Sequence, residues 1–93
     1  MSNIPIDLTK VTKENIDKEI LRVGVIAELD AVNLYEQLAA FTENSDIRKI
    51  LLDIAKEEKT HVGEFQTLLL RLDKQQVDEL KAGEEEVKEE LGE

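Results

Sequence analysis

Between Ile16 and Ala39 the apolar residues fall into two stripes at helical spacing. One is Ile16, Ile20, Val23, Ala27, Ala31, Leu34 and Leu38. The other is Leu21, Gly24, Val25, Val32, Tyr35 and Ala39, with Glu28 as its only ionisable member; Ile26 and Leu29 lie between the two. A single stripe follows further on: Leu51, Ile54, Ala55, Glu58, His61, Val62, Phe65, Leu68, Leu69 and Leu72. This pattern predicts one helix from Glu14 to about Thr42 and a second from Asp46 or Ile47 to about Leu72. Thr12 is the expected N-cap of the first, with Glu14 favourable in its first turn; Asn44 or Ser45 is that of the second. Two such helices, joined across Thr42-Glu43-Asn44-Ser45-Asp46, make an antiparallel hairpin about 40 Å long. A weaker helical piece, Lys74 to Ala82, follows, and Gly83 is expected to stop it.

The chain thus divides into an extended lead-in (1–11), a helical hairpin domain (12–83) and an acidic tail (84–93) that is frayed helix or disordered. The first helix is apolar around too much of its circumference for one partner helix to cover. The expectation is therefore self-association, with an all-α two-helix hairpin and short third helix becoming a four-helix bundle on dimerisation.

Composition sharpens this picture. With 93 residues there is room for one domain. Only Tyr35, Phe41 and Phe65 are aromatic, so Ile, Leu, Val and Ala must build the core. A net charge of −10 argues against nucleic acid and against an anionic membrane surface, and suits a protein that attracts cations. No apolar run approaches a membrane span, and no signal peptide is visible. The absence of cysteine excludes disulfides, thiolate metal sites and a thiol nucleophile within these residues.

Glu58 and His61 form a Glu-x-x-His pair, which at helical spacing places the two β-carbons roughly 5–6 Å apart on one face. A carboxylate and the chain's only imidazole therefore sit in the middle of an apolar stripe, where an unpaired charge is costly without a partner or a metal. Helix bundles that hold di-iron or di-manganese pairs use two Glu from two helices and two Glu-x-x-His motifs from two others. One chain carries half of that set: Glu28, Glu58 and His61. Two chains would carry four carboxylates and two imidazoles, enough charge to offset two divalent cations. A metal-free Glu58–His61 ion pair is the competing explanation. Glu57 lies on a mixed edge and reads as solvated. Tyr35, two turns beyond Glu28 on the same stripe, needs a hydroxyl partner if buried.

The strings Ala27-Glu28-Leu29-Asp30-Ala31-Val32-Asn33-Leu34-Tyr35-Glu36-Gln37 and Glu57-Glu58-Lys59-Thr60-His61 resemble the encapsulated ferritins, a ferritin-like family housed in encapsulin shells. The resemblance covers about residues 12–83 and is nearest to the archaeal kind fused to the shell protein. It implies a di-iron ferroxidase centre shared by two subunits, with Glu28, Glu58 and His61 as ligands. It also implies a ring of five dimers. Tyr35 matches the tyrosine near the site, and Asp30 matches an acidic residue that helps attract ions. Ala27 stands where some members have an acidic residue, and no short apolar-and-basic targeting tail follows Gly83.

The resemblance therefore implies oxidation of Fe(II) to Fe(III) and iron mineralisation inside a cytoplasmic encapsulin nanocompartment, with the shell protein as partner. Two other expectations compete. One is a rubrerythrin-like peroxide reductase, which needs an electron donor. The other is a metal-free helical assembly module whose acidic residues only solvate it.

Overall fold

The computed structural model describes residues 6–10, 12–13 and 15–93, and its order is a 3₁₀ turn (Leu8–Lys10), α1 (Ile16–Phe41), α2 (Ser45–Leu72) and α3 (Lys74–Leu91). Among the described residues every element is helical, so the chain is all-α as its periodicity predicts. α1 and α2 form the hairpin. Asn44 caps α2 as expected: its side-chain oxygen accepts from the backbone N–H groups of Asp46 and Ile47, both at 3.0 Å. Arg48 reaches back across the turn. Its Nε donates to the Ala39 carbonyl at 3.1 Å and its Nη2 to that of Thr42, satisfying acceptors left open at the end of α1.

The start of α1 differs from expectation. Its first residue is Ile16, and Asn15 occupies the cap position in an αR conformation without a side-chain capping bond. Thr12 is spent elsewhere. Its hydroxyl accepts from Asn15 Nδ2 at 3.0 Å and its carbonyl from the Asn15 N–H at 3.0 Å, which closes a turn before the helix begins. The expected contribution of Glu14 lies outside the described residues. Nor is the lead-in wholly extended, because Asp7 Oδ1 accepts from both the N–H and the hydroxyl of Thr9 and winds the 3₁₀ turn.

The third helix also departs from expectation, running through Gly83 to Leu91. An interior glycine costs about 1 kcal/mol but does not forbid helix. Lys88 bridges to Glu84 at 3.4 Å and Glu85 at 3.7 Å on that stretch, and Gly92, at φ 72°, supplies the left-handed ending. The acidic tail is thus a continuation of α3.

Among the described residues the buried apolar side chains are few: Val32, Ala39, Ala55 and Leu69. Val32 and Ala39 belong to the second stripe of α1, which therefore faces α2. Ile20, Leu34 and Leu38 of the first stripe remain exposed, as do Ile26 and Leu29 between the stripes. The accessible surface is 7457 Å², whereas a compact monomer of this mass exposes about 5,500 Å². Likewise the radius of gyration is 16.7 Å against about 12 Å for a compact domain of this length. A single chain leaves its apolar surface uncovered.

Candidate metal centre

α1 presents Glu28 to α2 at mid-length, and α2 answers with Glu58 and His61 one turn apart. Close approach of the helices is set by Gly24. The Phe65 ring of α2 lies where a Cβ on Gly24 would meet it at 3.0 Å, so the missing side chain makes room for the ring. Gly63 has no such neighbour, since nothing among the described residues lies within 4 Å of its would-be Cβ. On the solvent side Lys59 of α2 pairs with Glu36 of α1 at 3.0 Å; both are exposed, so the pair adds little stability.

The three residues singled out by spacing converge. One ligand atom from each lies within 4.8 Å of the others. His61 Nδ1 is 3.3 Å from Glu58 Oε2 and 3.4 Å from Glu28 Oε2. Only the Glu58 contact has hydrogen-bond geometry. Glu28 Oε2 is buried and carries no hydrogen bond, an arrangement native proteins rarely tolerate without a ligand. One imidazole nitrogen cannot satisfy two carboxylates, and like charges this close repel. The glutamate side chains are about four-fifths buried, at 20% and 19% relative exposure, whereas His61 is 45% exposed. An open cleft of about 320 Å³ lined by Glu28, His61, Glu64, Phe65 and Leu68 leads to them.

The donor set of two carboxylates and an imidazole fits a divalent metal of the iron, manganese or zinc kind. It is one-sided, however. Three donors facing an open cleft leave positions for ligands from elsewhere. Tyr35 is half-buried on the same face, and no hydrogen bond ties its hydroxyl to the trio. Asp30 is also half-buried and lies outside the trio. Glu57 is exposed, as its mixed edge predicts.

A second ionic cluster, which sequence spacing does not reveal, stands at the α2–α3 corner. Asp73 is 8% exposed. Its Oδ1 accepts the Gln76 N–H at 3.0 Å, capping α3, and its Oδ2 accepts from Arg22 Nη2 at 3.0 Å. The backbone bond from Gln76, followed by Arg22, holds its carboxyl below the usual carboxylate range against the opposing effect of burial. No helix among the described residues is long and apolar enough to cross a membrane.

Known proteins share this sequence and fold. The rubrerythrin family model matches residues 19–91. A ferritin-like–encapsulin shell fusion protein of Pyrococcus furiosus is 64% identical over 81 residues, spanning 87% of this chain and 23% of that protein. An encapsulin nanocompartment cargo protein of Myxococcus xanthus is 39% identical over 67 residues, spanning 72% of this chain and 51% of the relative. The chain thus spans about a quarter and about half of these two curated relatives. The crystal structure of an encapsulated ferritin domain from Pyrococcus furiosus superposes with a TM-score of 0.85 at 58% identity, over 97% of this chain and 90% of that one. Helical hairpin, converging carboxylates and imidazole, and these likenesses meet in one assignment: the chain belongs to the rubrerythrin family and, within it, to the encapsulated ferritin-like domains.

Proposed function

We propose that this domain is one half of a ferroxidase centre, completed when a second copy presents its own Glu28, Glu58 and His61 across the cleft. The observation that carries this reading is the buried, unbonded Oε2 of Glu28 beside His61 Nδ1 and Glu58. A cation between them would satisfy that oxygen and remove the repulsion. A second observation supports sharing: the excess of exposed surface over a compact monomer is the size an obligate homodimer covers.

The substrate is Fe(II), which gives up one electron to dioxygen or peroxide and leaves as Fe(III). The side chains do the rest. Glu28 and Glu58 supply the negative charge that favours the higher oxidation state. His61 offers Nδ1 to the metal, which puts its proton on Nε2. Asp30 helps draw cations in, and Tyr35 stands beside the site. Iron is then mineralised inside an encapsulin shell in the cytoplasm, where the domain assembles as a ring of five dimers; the relatives' names support the shell association.

Stopped-flow absorbance of Fe(II) oxidation tests this. Glu28→Ala, Glu58→Ala and His61→Ala should each lose most of the acceleration over the protein-free rate, while Glu57→Ala keeps it. Equal rates in wild type and all three ligand variants would falsify the assignment. The family match also favours a second reading, peroxide reduction. Peroxide turnover that continues only with an added electron donor would establish it in place of storage chemistry.

A further inference from the structure

Resting on the reading of the trio as a cation site, we infer that Gly24 and Phe65 are its positioning residues. Their contact sets the gap between Glu28 on α1 and the Glu58–His61 pair on α2, and so favours ions that make short bonds. Gly24 precedes Glu28 by four residues and Phe65 follows His61 by four, so each stands one helical turn from a ligand on the same face. In the antiparallel hairpin the two contacts are stacked. His61 Nδ1 lies 3.4 Å from Glu28 Oε2, and about 6 Å further along the axis the Phe65 ring covers Gly24. Towards the turn, Val32 comes four residues after Glu28 and Ala55 three before Glu58, and both are buried. Towards the open end, Ile20, Leu68 and Leu72 are 46%, 48% and 49% exposed, so packing within the chain loosens there. The Gly24–Phe65 contact therefore holds the open flank of the trio.

This contact yields little. A Cβ at position 24 would lie 3.0 Å from Cγ and Cδ1 of Phe65 and 3.1 Å from Cδ2. Cγ is the root of the ring and stays in place when the ring turns about χ2. Relief needs a new χ1 or a shift of α2, and few χ1 values are open to a side chain in a helix. A methyl at position 24 therefore moves α2 away from α1, carrying Glu58 and His61 away from Glu28. Zinc, which holds its nitrogen and oxygen ligands at about 2.0–2.2 Å, spans a widened gap less readily than calcium, which holds oxygens at about 2.3–2.6 Å. Phe65 lines the cleft with Glu28 and His61 but has no ligand atom to give, so what it contributes is distance.

Isothermal titration calorimetry of the full chain with Zn(II), and separately with Ca(II), tests the spacer at matched protein concentration. Gly24→Ala should weaken Zn(II) binding about tenfold, the scale on which contacts outside the ligands govern metal affinity. Ca(II) should weaken less, so the preference for Zn(II) falls. Adding Phe65→Leu, which removes ring volume at the contact, should restore most of the Zn(II) affinity, with helicity by circular dichroism unchanged throughout. Gly63→Ala puts the same methyl into open space two residues from His61 and should leave Zn(II) binding as in wild type. An unchanged Zn(II) affinity in Gly24→Ala, no recovery in the double variant, or an equal loss in Gly63→Ala would each overturn the proposal. Glu28→Gln separates it from the reading beneath it. Zn(II) binding lost in Glu28→Gln but intact in Gly24→Ala sinks the spacer alone, whereas equal binding in wild type and Glu28→Gln sinks both.

Discussion

Two carboxylate clusters tie this chain together, and they are built on opposite principles. At the α2–α3 corner Asp73 has both oxygens engaged, one by the Gln76 N–H and one by Arg22. At mid-hairpin Glu28 and Glu58 share one imidazole nitrogen, and a buried oxygen goes without a hydrogen bond. The first cluster is complete as folded and does structural work. The second has more acceptors than donors to meet them, and that imbalance is what the proposed metal role rests on. Burial alone would not have separated them. The count of donors against acceptors does.

The largest expected effect follows from that count. A divalent cation such as Mn(II), at about 100 times its dissociation constant, should stabilise the protein by about 2.7 kcal/mol. For a domain of this size that is a rise in Tm on the order of 10 °C. Glu28→Gln should remove the rise, and Asp73→Asn should leave it intact while starting from a lower Tm. An equal rise in Glu28→Gln would erase the distinction between the clusters. Differential scanning fluorimetry at matched protein concentration reads it directly.

Acid should divide the clusters next. The Asp73 carboxyl is held below its ordinary value in the folded protein, so its contribution is fully present above the unfolded value near 3.8. That contribution is lost as pH falls through the lower folded value. Wild type should therefore lose stability relative to Asp73→Asn on acidification below about pH 4, with the two curves converging at the acid end. Exchange of backbone amides in residues 74–91 should be faster in the variant at neutral pH. Parallel curves across this range would show that the Arg22–Asp73 contact holds nothing in place.

The smallest effect contrasts the two interior glycines. Gly63→Ala enters open space and should stabilise the helix by about 1 kcal/mol. Gly24→Ala brings a methyl to 3.0 Å from the Phe65 ring, so its helix gain is offset by displacement of a side chain that lines the cleft with Glu28 and His61. Urea midpoints should rank Gly63→Ala above wild type and Gly24→Ala below Gly63→Ala. The reverse order would mean that α1 and α2 are not in close contact beside the site.

Much of the molecule is legible in the order of its residues. Periodicity alone is enough for the hairpin, for the Asn44 cap and for the face shared by Glu28, Glu58 and His61, because helical neighbours at three and four residues are fixed by geometry. The apolar excess of α1 likewise forecasts a chain that leaves surface uncovered. Other features depend on residues far apart in sequence, and no local pattern encodes them. Arg22 meets Asp73 across 51 positions, and the Phe65 ring meets Gly24 only because the hairpin register aligns them. Thr12 reads as the cap of α1, yet its hydroxyl and carbonyl close a turn with Asn15, and Asn15 takes the cap position instead. Gly83 reads as a stop, yet its cost is about the strength of a few local helix pairs, and the left-handed Gly92 makes the ending instead. Local spacing determined which residues could meet on one face. Tertiary packing decided which oxygens were satisfied, because a hydrogen-bond partner such as Arg22 for Asp73 comes from a residue far away in sequence.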